Sequence, residues 1–322
     1  MRDTILFGDC KETLSAFLPK TARMCVTSPP YYGLRDYGGE ERQIGQENTP
    51  EEYIKNLVEV FRGVREVITD DGTLWVNMGD SYYNYRPGRA YVKQTVASNR
   101  QDLPEYSPKR SNKLDGIKEK DLIGIPWMLA FALRADGWYL RQDIIWNKPN
   151  PMPESVTDRC TKAHEYIFLL SKNAHYYFDQ EAIKEGTTTK DSTIRNRDET
   201  KLNNTPGRTR MEGLKTNEYE TKNKRSVWTV ATKPYSEAHF ATYPHDLIIP
   251  CIKAGCPENG TVLDPFGGSG TTAQVAAQLN RNAIICELNP EYIKIANQRL
   301  LDSLGMFLDI EIKQPQPTEN IE

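Results

Sequence analysis

Two short segments near opposite ends of this 322-residue chain carry side chains whose types and spacing suit chemistry. The first is Thr27-Ser28-Pro29-Pro30-Tyr31-Tyr32, which follows the β-prone run Arg23 to Thr27. Consecutive prolines restrict φ and remove two N–H donors, leaving rigidly placed carbonyl acceptors beside the Ser28 hydroxyl and two aromatic rings. Such a loop suits a planar, amine-bearing group, whose hydrogens the Ser28 and Pro29 oxygens can accept while an aromatic face stacks on the ring. A Pro-Pro turn packed by tyrosines is the structural alternative. The second segment, Val262 to Thr272 (VLDPFGGSGTT), sets an acid and a glycine cluster between an apolar strand and a helix. Gly267, Gly268 and Gly270 permit a tight turn and close approach of a ligand to the backbone, and a helix N-terminus favours a carboxylate or phosphate. The spacing is neither GxGxxG nor GxxxxGKS/T, which disfavours a dinucleotide or a triphosphate. Glu287, 23 residues beyond Asp264, ends the next strand, where an acid can accept hydrogen bonds from both ribose hydroxyls. An adenosine-containing ligand fits; a structural turn and a solvent-facing strand-end acid are the plainer alternatives.

The elements that must position these segments alternate between strand-like and helix-like text. Thr4 to Phe7 is short and β-prone, Cys10 to Leu18 can form a helix, and Arg23 to Thr27 is a strand stopped by Pro-Pro. Pro50 to Ile68 spaces its apolar residues by three and four, with proline at a first helical position, and Gly72 to Met78 follows as a strand. A helix is expected over Leu122 to Asp136, and strands near Trp138 to Trp146 and Glu165 to Ser171. Strand Thr261 to Leu263, helix Thr271 to Leu279, strand Asn282 to Cys286 and helix Pro290 to Leu301 close the chain. Repeated β-then-α order predicts an α/β fold with a doubly wound, mostly parallel sheet, which places strand-end loops in the ligand crevice.

Length alone suggests about two domains, or one large core with a substantial insertion. With 38% apolar and 26% charged residues the chain can bury a core. No apolar run approaches the roughly 20 residues needed to span a bilayer, and the start MRDTILFGDCKETL has no leader pattern, so a cytoplasmic location without a membrane partner is expected. The six cysteines form no CxxC pair, which suggests neither a metal site nor a disulfide framework. A net charge of −3 speaks against a polyanionic partner, but it is unevenly spread. Residues 84–120 hold nine basic and four acidic side chains, residues 184–233 hold twelve and seven, and each segment is therefore +5 on a scaffold of −13. Solvated loops are the alternative for both segments.

SPPY together with DPFGGSGTT resembles the amino-methylating DNA methyltransferases, and the catalytic motif standing first resembles their β group. FGDC (Phe7 to Cys10), HFATYPHDLI (His239 to Ile248), GTLWVNMGDSY, GWYLRQDIIWNKPNPMPES and HEYIFLLSK are similar to further family segments. The resemblance covers about two thirds of the chain and implies a Rossmann-like methyltransferase sheet with permuted motif order. It implies a catalytic half over 1–183, with the 84–120 insertion, a target-recognition region over 184–233 and a cofactor half over 234–322. Ser28, Pro29, Pro30 and Tyr31 would be catalytic. Asp9, Asp264, Phe266, Gly267, Gly268, Ser269, Gly270, Thr271 and Glu287 would hold S-adenosylmethionine, with Phe240 and Thr242 in the segment closing over its methionine part. Arg195, Arg197, Arg208 and Arg210 would meet the phosphates of double-stranded DNA, and a cognate restriction endonuclease is a further expected partner. The Trp146-Asn147-Lys148-Pro149 turn either lines the target pocket or merely ends a strand. Within the family, Ser before Pro-Pro goes mostly with N4-cytosine and Asp or Asn mostly with N6-adenine, so Ser28 favours cytosine, with adenine the alternative. Carbon-5 methylation needs a thiolate; Cys251 stands in apolar helical text without a neighbouring acid and is expected to pack in the core. An RNA-base or protein-amide methyltransferase, or an inactive DNA-binding protein of the same fold, are the competing functions.

Overall fold

In the computed structural model, described over residues 2–33, 43–84, 114–186, 221–232, 243–304 and 309–313, the alternating pattern builds one nine-stranded sheet. Its strands are β1 (Arg2–Phe7), β2 (Ala22–Thr27), β3 (Ile68–Met78), β4 (Tyr139–Asn147), β5 (His164–Ser171), β8 (Val227–Thr229), β9 (Thr261–Asp264), β10 (Asn282–Glu287) and β11 (Asp309–Lys313), while β6 (Glu185–Gly186) and β7 (Thr221–Lys222) form a small antiparallel pair. The order is β11-β1-β10-β9-β2-β3-β5-β4-β8. Every pairing in it is parallel except that β5 runs against both β3 and β4. The strands β6, β7, β8 and β11 were not anticipated, being too short or too polar to stand out, and β3 starts four residues earlier than Gly72.

Helices α1 (Cys10–Ser15), α2 (Pro50–Val67) and α3 (Ile125–Ala135) cover one face, and α4 (His245–Gly255), α5 (Thr271–Gln278) and α6 (Pro290–Leu304) the other. Burial on both faces explains why the central strands read as nearly continuous apolar runs. The local rules are visible in α2. Thr49 accepts from the Glu52 amide at 3.2 Å, Pro50 occupies the first turn, and Tyr53, Leu57, Val60, Phe61 and Val64 are fully buried along one stripe. In α5 the starting Gly270 has φ +79 and lies so close to α6 that a Cβ would stand 2.9 Å from the Ala296 Cβ, so only glycine serves there.

Two features of this topology position the site. Strands β9 and β10, late in the chain, insert between β1 and β2, so the two chemistry-bearing segments become neighbours. Antiparallel β5 begins, rather than ends, at the edge where the parallel strands finish, with Tyr166 opposite Met78 and Glu165 opposite Trp146. The polar insertions leave and return at pinned stems. Tyr83 and Asp121 close the first by an amide-to-carbonyl bond of 2.8 Å, and β6 with β7 closes the second. The helices are too short or too polar for a bilayer: among the described residues none could cross a membrane.

Candidate active site

Asp264 ends β9 and is 2% exposed. Its Oδ1 accepts from Thr27 Oγ1 at 2.6 Å and the Phe266 amide at 3.0 Å; its Oδ2 accepts from Tyr243 Oη at 3.0 Å and Thr272 Oγ1 at 2.5 Å. Burial raises its pKa, and these four donors pull it back down. The side chain thus ties the end of β2, the glycine turn, the start of α5 and the approach to α4 into one unit. After it, Gly267 donates to the Cys286 carbonyl at 2.8 Å and would drive a Cβ to 2.8 Å from the Ile285 Cβ. Gly268 behaves differently: at φ +51 its missing Cβ would meet nothing nearer than the Phe266 carbonyl at 4.0 Å, so this side of the turn is an open cradle. Arg299 of α6 donates to Ser269 Oγ and Thr271 Oγ1, each at 3.0 Å, and holds the turn from behind.

Glu287, at the end of β10, accepts the Gly268 amide on Oε2 and the Asn289 amide on Oε1, both at 2.8 Å. Burial is the main cause that pushes its carboxyl up to about 7, against the pull of those two amides. Its backbone carbonyl accepts the Gly8 amide at 3.0 Å, which brings the start of α1 alongside. There Asp9 caps the helix by accepting the Lys11 amide at 2.7 Å and also borders a cavity of about 350 Å³ shared with Lys11, Ile44, Glu47 and Asn56. Carboxylate oxygens at Asp9 and Glu287, with the open side of Gly268 beside Glu287, suit the hydroxyl-rich half of a nucleoside, and these acceptors fit an adenosine-type cofactor.

One strand further along, the Ser28-Pro29-Pro30-Tyr31 loop leaves β2. Tyr53 of α2 donates to the Pro30 carbonyl at 2.7 Å, and a Cβ on Gly79 would lie 2.6 Å from Tyr31 Cε2, so the loop is held from two sides. Behind it lies a polar cluster in an otherwise apolar layer. Ser28 Oγ is 3.3 Å from Asn77 Oδ1, Tyr31 Oη donates to Glu165 Oε2 at 2.7 Å, and Glu165 pairs through Oε1 with Lys148. Burial, and then the Glu165 charge, raises the Tyr31 phenol well above its usual value, so the hydroxyl keeps its hydrogen. The chain makes this arrangement at its strand ends: Asn77 near the end of β3, Lys148 just past β4 and Glu165 near the start of β5.

Of the residues singled out in the sequence, Asp9, Ser28 to Tyr31, Asp264 to Thr271 and Glu287 lie along one edge of the sheet, on the consecutive strands β1, β10, β9 and β2. Phe240, Thr242, Arg195, Arg197, Arg208 and Arg210, and residues 85–113 of the first insertion, lie outside the described residues. Cys251 is fully buried, its thiol pushed up by burial and aimed at the Leu247 carbonyl. Asn77, Glu165 and Tyr243 were not singled out. They fall in GTLWVNMGDSY, HEYIFLLSK and HFATYPHDLI, segments that resemble the family, but such text does not say what a particular side chain faces.

Comparison with known proteins follows the same lines. The profile of a family described as DNA methylase, the N6/N4 methyltransferases, matches residues 22–298. The Type II methyltransferase M.SmaI of Serratia marcescens is 45% identical over 297 residues, 92% of this chain and 90% of that protein. Among solved structures, the cytosine-N4-specific PvuII DNA methyltransferase superposes with a TM-score of 0.62 at 18% identity, covering 94% of this chain and 89% of that one. The M1.HpyAVI–SAM complex gives a TM-score of 0.52, also at 18% identity, over 93% of this chain and 100% of that one.

Proposed function

The chain belongs to this DNA methylase family, and we propose that it methylates the exocyclic N4 of cytosine at a specific sequence in double-stranded DNA. Members of the family are S-adenosylmethionine-dependent DNA amino-methyltransferases, and this chain is one of them. The observation that carries the finer reading is Ser28 standing before Pro29-Pro30, the residue that in this family goes mostly with N4-cytosine; the 2.6 Å bond from Thr27 to Asp264 sets this loop beside the glycine turn whichever amine is methylated.

When bound, S-adenosylmethionine supplies an electrophilic methyl group on a sulfonium sulfur. Asp9, Phe266, the Gly267 to Gly270 turn, Thr271 and Glu287 would hold it, Glu287 through ribose hydroxyls, with Phe240 and Thr242 in the segment that closes over its other end. Asp264 acts from underneath, since its four acceptor positions are already taken by the chain. The target base must leave the duplex, which costs a few kcal/mol. Ser28 Oγ and the Pro29 carbonyl then accept its two amine hydrogens, while Tyr31, its hydroxyl held by Glu165, gives the flipped base a ring to stack on. An exocyclic amine is a weak nucleophile because its lone pair is conjugated with the ring. Drawing both N–H bonds out of plane frees that pair, so positioning and electrostatics carry the reaction without a covalent intermediate.

The 1–183 and 234–322 halves then share one sheet, to which residues 227–229 of the intervening 184–233 region add the edge strand β8, and that region meets the duplex through Arg195, Arg197, Arg208 and Arg210. A restriction endonuclease of the same specificity is the partner this reading implies. The decisive experiment is nucleoside mass spectrometry of duplex DNA incubated with the purified chain and S-adenosylmethionine, with RNA and protein acceptors in parallel. N4-methylcytosine is expected. Dominant N6-methyladenine would overturn the base assignment, and methyl transfer to RNA or protein instead would overturn the substrate.

A further inference from the structure

The polar cluster behind Ser28 has a sense of direction that follows from which atoms carry hydrogens. Lys148 and Glu165 form an ion pair with side chains only 18% and 14% exposed. Asn77, 4% exposed, has its amide nitrogen 3.2 Å from Glu165 Oε2 and 3.2 Å from the Tyr166 carbonyl oxygen. Both neighbours are acceptors without hydrogens, so only the NH₂ end of the amide can face them. Oδ1 of Asn77 is therefore turned to Ser28 Oγ and Tyr31 Oη, each at 3.3 Å. Tyr31 has one hydrogen, and it goes to the charged Glu165 at 2.7 Å. The hydrogen that Asn77 Oδ1 accepts is then that of Ser28.

We propose that Asn77, Glu165 and Lys148 are positioning residues that turn the Ser28 hydroxyl hydrogen inward, so that Ser28 and Pro29 present only acceptors and select a base with an exocyclic amine over one with a carbonyl. The selection works by mismatch. A uracil in the place of cytosine would set its O4 against the Ser28 lone pairs and the Pro29 carbonyl, with no hydrogen between them. Sites built to bond an N–H reject the analogue lacking it far more strongly than apolar pockets reject a missing methylene. The proposal rests on the base-methylation reading above, but not on which amine is methylated.

The test compares binding of duplexes holding cytosine or uracil at the target position, each opposite an abasic site so that the cost of flipping is equal. If the product analysis gives adenine, the pair becomes adenine and hypoxanthine, so a wrong base assignment is told apart from a wrong account of the cluster. Wild type should favour the amine by about 100-fold. In Asn77→Leu, similar in size but without an acceptor, the Ser28 hydrogen loses its inward partner and turns to the pocket. The preference should fall below about tenfold, and affinity for the carbonyl base should rise in absolute terms. The double variant Glu165→Leu/Lys148→Met removes the acceptor of the Tyr31 hydrogen, which then competes with Ser28 for Asn77 Oδ1, so the preference should fall here too, and it serves if Asn77→Leu does not fold. A wild type that binds both bases equally, or variants that lose affinity for both in proportion, would overturn the proposal.

Discussion

Replacing Glu287 by Gln should abolish a pH dependence of nucleoside binding that the wild type shows around neutrality. The carboxyl sits at about 7 because it is buried, and each oxygen already accepts one backbone amide. Each has one further acceptor direction for a ribose hydroxyl, and protonation turns one of these acceptors into a donor. Affinity should therefore drop about tenfold per pH unit below that value, reaching roughly a 30-fold loss at pH ~5.5 relative to pH ~8. Isothermal titration with adenosine measures this cleanly, since adenosine has the ribose but no α-amino group to titrate. The variant should bind roughly 10- to 100-fold more weakly than wild type at pH ~8 and show no slope. A flat wild-type profile, or a variant that keeps the slope, would refute the assignment of Glu287 to the ribose. The same shift has a stability side. Because the folded value lies above the unfolded 4.5, the stabilising contribution is complete below 4.5 and is lost as pH rises through about 7. That loss is about 3 kcal/mol at 1.36 kcal/mol per pH unit. In urea unfolding without ligand, the stability difference should thus move in favour of Glu287→Gln between pH ~5 and ~8.

Three further outcomes follow from the contacts around the site. Asp264→Ala leaves four donors unmatched and should lower stability by about 3 kcal/mol, whereas Asp264→Asn should cost roughly half, because three of its partners are hydroxyls that can turn; equal thermal shifts would argue against the clamp. Gly79→Ala pushes a Cβ to 2.6 Å from Tyr31 Cε2 and should reduce kcat about 100-fold at nearly unchanged DNA affinity, which steady-state kinetics and a filter-binding assay separate. Changing Arg195, Arg197, Arg208 and Arg210 together to Ala should weaken DNA binding and flatten the dependence of log affinity on log salt by up to about 0.9 per lost phosphate contact; an unchanged slope would make these residues spectators.

Much of the fold was legible because its signals are local. The apolar stripe of α2 and its Pro50 start depend only on residues within a few turns, and the structure has the helix over Pro50–Val67, one residue short of the Pro50 to Ile68 that the spacing predicts. The glycine turn was legible for the same reason: a turn before a helix restricts its own residue types. The antiparallel course of β5 was not, since its text HEYIFLLS suits a buried strand running either way. The short strand β8 owes its place to pairing with β4, and its three residues VWT say little alone.

The residue types by themselves determined that a rigid proline loop and a glycine turn stand at strand ends of one α/β chain, because prolines, glycines and strand-end acids limit what their own backbones can do. Tertiary structure decided which atoms each acid meets. Asp264 and Glu287 look alike in sequence, each an acid at the end of an apolar strand, yet Asp264 is closed off by four donors while Glu287 borders the open side of Gly268. Glu165 became part of the site only because β5 runs antiparallel and so starts where its neighbours end, bringing a carboxylate to Tyr31 across 134 residues of chain. Such roles depend on which hydrogen-bearing atoms meet in space, and only the assembled sheet brings them together.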